Sequence, residues 1–479
     1  MKNNSIIRGV FNYSISTWIN LVVGFLSVII TTRLLAPDTY GLISLFYSFT
    51  TVLMYVLLFG IDGAFIRFYN EPPIGNTQNQ LLYKNIVLAS IICIIAGFVC
   101  TFIFDKSISE SIFGFYSRVL VGSVFVFTYA QIILRYLNIS FRMSFKVKEY
   151  TIQNVLINTL SKILVIAVAF FTNSFLFIVA VLAIGMFFLV TYYLIFQRKE
   201  YIPITEKGTH DYRLNFSHYG SYFKFALFSA PTYIVTYLNG YLSNQIIGSY
   251  INNYALGIFA STNMFSQILT AMKGGFSTYW SAYVFKNYNI EFVKINKMHN
   301  YVVRFSIFAT SSLILFRDVL YLFIGSQFHE SKSFFSILLI SPIMFFLLET
   351  TDKGIAIAKK NEINATTHIV SVAINIVLCL LLIPKFSLLG AAWANAISGI
   401  VLYALNTLLG QKYYRSIPNI WKSIVGVTMV LLILSIPSAV SDIMKLCFIV
   451  TFIDLLSICV FYKEFIFIIN KIKSYIKER

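Results

Sequence analysis

The sequence alternates long apolar runs with short polar turns, and that alternation restricts its fold more than any other feature. Runs of roughly 20 residues have the length of an α-helix that crosses the hydrocarbon core of a bilayer. By that criterion about 14 spans are predicted. In the first half they fall near 11–31, 41–61, 85–104, 117–137, 152–171 and 174–196. The second half supplies 224–247, 254–276, 301–324, 333–351, 364–383, 388–409, 423–440 and 444–466. The short alternating segments of an outer-membrane barrel are absent. Only 12% of residues are charged and 58% are hydrophobic, against about 25% charged in a soluble domain. The expected fold class is an all-α polytopic membrane protein.

The N-terminal stretch has a basic start, but its apolar core is too long for a cleaved signal and no A-x-A-like site follows, so it is kept as the first span. Lysine and arginine then set the orientation. With the N-terminus inside, about 28 fall on the cytoplasmic side, about 7 on the opposite side and roughly 2 within spans. Both termini are therefore expected in the cytoplasm. The net charge of +18 follows from this bias, with basic loops facing anionic membrane lipids. The basic residues are scattered over many short loops, which is no nucleic-acid footprint. Cys93, Cys100, Cys379, Cys447 and Cys459 all lie in apolar runs without a C-x-x-C or a Cys/His cluster. They read as small core residues, with no metal site.

No G-x-x-x-x-G-K-[ST] loop occurs, and the longest connection, of roughly 25 residues, is too short for a catalytic domain. A carrier is expected rather than an enzyme, and no cofactor is implied. The connection divides the chain into an N-terminal six-helix lobe (1–200), a cytoplasmic linker (201–222) and a C-terminal six-helix lobe (223–411). Two additional helices and a basic cytoplasmic tail follow (412–479). The sixth and twelfth runs share an Ala-x-x-x-x-Gly spacing, Ala180/Gly185 and Ala394/Gly399. Two similar halves fit a repeat-built transporter with its site between them.

Several runs carry polar residues on one helical face: Asn12, Ser16, Asn20, Gly24 and Ser27 in the first, and Ser44, Ser48, Thr51 and Tyr55 in the second. The fifth has Asn154, Asn158 and Lys162; the seventh Thr232, Thr236, Asn239 and Ser243. The eighth has Thr262, Ser266, Thr270, Lys273 and Ser277, and the eleventh Thr367, Ser371 and Asn375. Small polar residues also serve plain helix packing, but stripes in both halves favour a shared hydrated cavity. A lysine at mid-span costs on the order of 3 kcal/mol unless it meets water or a counter-charge. Lys162 sits mid-span; Lys273 is near enough to the cytoplasmic end to snorkel. Either ammonium suits a phosphate. Asp62, Glu349 and Asp352 are expected at cytoplasmic helix ends, explained by solvation or capping. Asp454 lies mid-span, open to a proton-binding role or an ion pair; His368, near the cytoplasmic end of the eleventh run, is a residue type that can titrate near neutral pH, with a structural role as the alternative. The ion-coupling candidates are thus Asp454 and His368, with H+ or Na+ as the ion.

In "TTRLLAPDTYG" (31–41) Arg33 marks a helix end, Pro37 forbids continuation, and Asp38 and Thr39 are expected to cap the next helix, whose apolar run opens at Gly41. That stretch resembles the R-x-L-x-P-x-x-[YF]-G opening of polysaccharide-unit flippases, the O-antigen and capsule repeat-unit translocases of the MOP superfamily. Further similar stretches follow in order: "FGIDGAFIRFY" (59–69), which contains Arg67, "FKFALFSAP" (223–231), "YALGIFASTNMF" (254–265) and "LFIGSQFHESKSFF" (322–335). "NIVLCLLLIPKFSLLGAAWANAISG" (375–399), with Pro384 and Gly390, completes the pattern. Many relatives carry an Asp-Arg pair late in the seventh span, where this chain has "LSNQIIG". A charge-dependent role there does not transfer.

The resemblance implies a MOP/MATE-like fold in a bacterial inner membrane. It also implies a substrate, a short glycan on undecaprenyl diphosphate, moved from the cytoplasmic to the outer leaflet by alternating access for O-antigen, capsule or exopolysaccharide synthesis. Polymerase and chain-length machinery of the same pathway would be partners. The expected cavity involves spans 1, 2, 7 and 8, with Lys162, Lys273, Asn158, Asn154, Asn20, Asn239 and Thr270 as substrate-binding candidates. The alternatives are a MATE-like cation-coupled multidrug antiporter, a class that typically uses membrane-embedded carboxylates in the first half, of which the first span here has none, and a non-transporting scaffold.

Overall fold

The computed structural model describes residues 2–198, 216, 218–358, 360–438, 440, 442–462, 464 and 466, with side chains from residue 15 onward except those at 232, 278, 279, 282, 361 and 443. Most of the expected 201–222 linker, the basic tail 470–479 and the side chains of Asn12 and Thr232 lie outside the described residues. Among those residues the elements are helical and no strand occurs. Eight helices among the described residues are long and apolar enough to cross a membrane, or nine if a bent pair counts as one span. The chain is a multi-pass membrane protein, but the expected count of 14 exceeds this number. The helices of the seventh to ninth runs carry polar stripes or basic residues, which lowers their hydropathy.

One compact unit spans Phe11–Gly257. It contains most of α1 (Lys2–Leu34), then α2 (Pro37–Leu58), α3 (Ile61–Phe68), α4 (Gln78–Phe102) and α5 (Asp105–Phe113). It continues through α6 (Arg118–Met143), α7 (Val147–Ala169), α8 (Phe175–Phe196) and α9 (Gly220–Tyr250). The sequence grouped α9 with residues 223–411, whereas it packs here on α2 and α3.

Arg33 stands in the last turn of α1, where a cation meets the negative helix end. Pro37 is the first residue of α2, behind an extended Ala36 that makes no side-chain cap. A proline fits that position because the missing N–H would have had no partner there. The expected capping by Asp38 and Thr39 is therefore corrected: both are already inside the helix. Thr39 Oγ1 donates instead to the Asn173 carbonyl at 3.1 Å.

Gly41 explains the turn motif. A Cβ there would stand 2.3 Å from the Asn253 carbonyl oxygen, and one on Gly257 would stand 1.9 Å from that of Pro37. The two backbones thus meet where "APDTYG" and "YALG" cross. A second crossing follows α2, whose end is turned by Phe59 and Gly60 in the left-handed region (φ 42° and 76°). A Cβ on Gly60 would lie 2.2 Å from the Ala226 carbonyl oxygen, so "FGIDG" beds into "FKFALFSAP". These family-like motifs are pairs of close-packed backbones.

The other unit is Met1–Val10 with Ile258–Arg479. It holds most of α10 (Asn253–Asn287), α11 (Phe292–Leu315), the short α12 (Arg317–Tyr321), and a 3-10 helix at Ser326–Ser333. Next come α13 (Phe335–Leu338), α14 (Ile340–Leu348) and α15 (Lys353–Ile357). At the start of the predicted tenth span (333–351) the chain bends by 73° between Ser326–Ser333 and Phe335–Leu348. Within the latter piece, Pro342 has no N–H for the Leu338 carbonyl, four residues back. Ser266 Oγ donates to that carbonyl at 3.2 Å, so this member of the eighth stripe repairs a helix break.

The eleventh and twelfth runs form one 53-residue element, α16 (Asn361–Tyr413), broken at Ser387 (φ 52°, ψ −135°). The two halves bond to each other: Thr367 Oγ1 to Asn406 Oδ1 at 2.5 Å and Ser371 Oγ to the Ser398 carbonyl at 2.8 Å. Pairing across the break shows that the chain doubles back. The last helices, α17 (Ile420–Ser435) and α18 (Ile443–Val460), both pack on α11.

Candidate functional site

In the first unit the chemistry gathers around a buried ion pair. Asp62, in the first turn of α3, is 0% exposed. Arg135 of α6 donates from Nε at 2.8 Å and Nη2 at 2.5 Å, both to Asp62 Oδ2. The other oxygen, Oδ1, is buried and accepts no hydrogen bond among the described residues. The expectation that Asp62 is a solvated helix end is thus corrected. The left-handed turn at Phe59–Gly60 starts α3 inside the helix packing, and burial of the carboxylate demands a counter-charge.

The Arg135 guanidinium lies 5.0 Å over the Tyr55 ring. On α9, Tyr237 stacks on Tyr55 with centroids 4.1 Å apart and planes within 12°, and Tyr233 stacks at 6.0 Å. Asn85 of α4 accepts from the Tyr222 hydroxyl at 3.0 Å, and the same hydroxyl reaches the Ile61 carbonyl at 3.2 Å. The Arg135 side chain remains 29% exposed beside its fully buried partner. An aromatic shelf, a partly exposed arginine side chain and a sealed carboxylate suit recognition of an anion: planar donors fit phosphate, and a cation over a ring is held in place.

Sequence-expected residues of this unit form a second polar group. Asn154 donates to Ser16 Oγ at 3.3 Å, and Asn158 Nδ2 to the Asn154 carbonyl at 2.9 Å and its Oδ1 at 3.2 Å. The stripes of the first and fifth runs therefore meet. Asn20 is half-buried, and its Oδ1 has no partner among the described residues. Lys162, one turn beyond Asn158, is half-buried without an ion pair among the described residues. Asn239 on α9 accepts from Ser243 through its carbonyl at 3.0 Å.

The second unit places Lys273 differently from a bare cavity cation. Its Nζ is 3.6 Å from Glu349 Oε1 and 5.5 Å from the Phe345 ring centroid. Glu349, which was expected to be solvated, is buried. It also accepts from Lys353 at 2.7 Å and from Ser277 at 2.8 Å, while Asp352 sits 3.3 Å from Lys353. Thr270 Oγ1 bonds back to the Ser266 carbonyl at 2.9 Å, along its own helix. His368 is half-buried on α16 and makes no hydrogen bond among the described residues. Asp454 has a partner: Arg304 Nη1 at 2.7 Å. Of the residues given a motif role, Arg67 forms an exposed pair with Glu71 at 2.9 Å.

Sequence reading missed Arg135, which lies near the end of the fourth run. The available signal was an opposite charge, Asp62, at the edge of another run.

With this geometry in view, residues 6–282 match the family described as polysaccharide biosynthesis protein. The chain belongs to that family. Among solved structures, this family member is similar to the lipid II flippase MurJ in an inward closed conformation. The TM-score is 0.71 at 16% identity, over 95% of this chain and 99% of that one. It is also similar to an inward-facing MATE multidrug transporter of the MOP superfamily, with TM-score 0.60 and 14% identity over 82% and 94%. A third is the MATE multidrug transporter DinF-BH, with TM-score 0.59 and 14% identity over 84% and 94%. No curated protein matches the sequence. The fold is that of MOP-type transporters.

Proposed function

We propose that this family member flips a lipid-linked oligosaccharide repeat unit, a short glycan on undecaprenyl diphosphate, across a bacterial inner membrane. The observation that carries the reading is the polysaccharide-biosynthesis family match. The shared fold with a lipid II flippase over 95% of the chain supports it. On this reading the glycan is destined for O-antigen, capsule or exopolysaccharide, both termini lie in the cytoplasm, and polymerase and chain-length proteins act downstream.

Arg135 and Lys162 are the anion-binding residues of the first unit and Lys273 that of the second. The amides of Asn20, Asn154, Asn158 and Asn239 exchange hydrogen bonds with sugar hydroxyls. Thr270 adds a hydroxyl. Alternating access then turns the loaded site outward. The chain holds and carries its substrate, with no bond made or broken in it.

The deciding experiment extracts lipids from a strain lacking the gene and quantifies undecaprenyl-diphosphate-linked glycan beside surface polysaccharide. Accumulated single repeat units with lost surface glycan support the flippase. Unchanged lipid-linked glycan with an intact surface, in a strain without a redundant flippase, overturns it. Sensitivity of that strain to cationic dyes would then favour the antiporter reading that the MATE-like fold also accommodates.

A further inference from the structure

Between α4, α6 and α8 the first unit holds a groove of about 520 Å³, within the range of about 300–1,000 Å³ typical of small-molecule sites. None of the residues given to the substrate lines it. Phe98 and Phe102 of α4 form one wall, their rings 4.8 Å apart, and they are 63% and 57% exposed. Val126 and Tyr129 of α6 and Phe187 of α8 complete the lining, with the last two rings 6.4 Å apart. Gly122 keeps the groove hollow, because a Cβ there would meet only Thr101 Cγ2 within 4 Å, at 3.9 Å. The α4 wall runs from Cys93 to Phe102, about 14 Å along the helix axis.

One end of this trough is cationic. Arg118, the first residue of α6, holds its guanidinium 5.9 Å over the Phe102 ring. Asp105 accepts from its Nε, and the two Nη groups are not engaged in that bond. Lys106 is exposed in the same connection, where the Tyr116 hydroxyl also donates to Asp105. Tyrosine and basic residues at the ends of apolar spans mark the level of the lipid headgroups. Phenyl rings leading to a guanidinium are complementary to an amphiphile, with its hydrocarbon along the rings and its anion at the end.

We propose that this groove is a binding site for an anionic glycerophospholipid, one acyl chain lying between α4 and α6 and the phosphate on Arg118. Moving a chain from surrounding lipid into the groove gains nothing from the hydrophobic effect, since both settings are apolar. Selection therefore rests on packing into the hollow at Gly122 and on the charge-assisted bond to phosphate. The transported lipid is a poorer match. An undecaprenyl chain far exceeds the groove, and the amides assigned to the glycan stand on α1, α7 and α9, none of which lines it. The inference holds whichever substrate the chain carries.

The test uses full-length protein in phosphatidylcholine nanodiscs containing a little phosphatidylglycerol with a diazirine halfway along one chain. Illumination should label segments 93–102 and 118–129 above all other spans, several-fold more than the same diazirine carried on phosphatidylcholine. Arg118→Gln should bring the two lipids level while both segments are still labelled. Gly122→Leu, which fills the hollow, should remove the label from both segments with either lipid. The wild-type comparison needs no variant, so a variant that fails to fold does not protect the proposal. Equal labelling by the two lipids in wild type, or label spread evenly over the spans, overturns it. Displacement of the label by an equal amount of undecaprenyl diphosphate also overturns it, and assigns the groove to the transported lipid.

Discussion

Arg304 of α11 donates to Asp454 of α18 at 2.7 Å, with only 6% of the arginine side chain exposed. The same helix is tied again where Asn300 and Lys422 both donate to Glu464, at 2.9 and 2.8 Å. The two appended helices are thus tied to α11 and to each other through charge as well as packing. Removing one partner strands the other in an apolar setting. Asp454→Ala should lower stability by about 2 kcal/mol, a value discounted because the carboxylate is partly exposed. The double change Arg304→Met with Asp454→Leu should recover most of the loss, read as thermal unfolding of purified protein. Normal lipid-linked glycan flux in that double variant would retire Asp454 as an ion carrier.

The Gly41–Gly257 crossing leaves no space for a side chain on either backbone. Overpacking a tight contact costs about 1–3 kcal/mol, and backbone atoms have little freedom to give way. Gly257→Ala is expected at the upper end, with a clear drop in the yield of monodisperse protein. Gly274→Ala serves as the control, since a Cβ there meets nothing within 4 Å.

Outside the spans, Asp105 accepts from Arg118 Nε at 2.7 Å, the Tyr116 hydroxyl at 2.9 Å and the Lys106 N–H at 2.8 Å. The hydrogen bond from Arg118 leads in holding its carboxyl below the usual carboxylate range. A depressed folded value contributes stability that is complete above the unfolded value of about 3.9 and fades as pH falls through the folded one. Wild type should therefore melt higher than Asp105→Asn at pH 7, with the gap closing in strong acid. A gap constant across that range would rule out this linkage.

Lys162→Ala should insert normally, because it removes a cation from a mid-helix position costing on the order of 3 kcal/mol. Flux of lipid-linked glycan should fall. Lys273→Ala leaves Glu349 bonded to Lys353 and Ser277, so its stability cost should stay below about 1 kcal/mol. Surface glycan at wild-type level, with wild-type amounts of either variant in the membrane, would remove that lysine from the site.

Helix positions were legible because a bilayer demands long apolar runs: the runs at 174–196 and 254–276 are recovered in α8 and within α10. The turn at Arg33–Pro37 was equally plain, since proline punctuates a helix locally. Partners were not. Asp62 and Arg135 are 73 positions apart and Arg304 and Asp454 150, and no periodicity within one helix encodes which distant helix it will face. Misreading Asp62 and Glu349 as solvated ends has the same origin. Ser266 was ambiguous for a different reason, because one hydroxyl on a helix face suits a sugar, a neighbouring helix or a freed carbonyl equally well.

The reversal at Ser387 has a consequence for biogenesis. The two arms of α16 are joined without a loop, and Thr367–Asn406 and Ser371–Ser398 rivet them along their length. Neither arm has slack to enter the lipid alone and wait for the other. The pair must leave the insertion machinery together as a single hairpin, so a reporter spliced at 387 should block assembly instead of revealing topology.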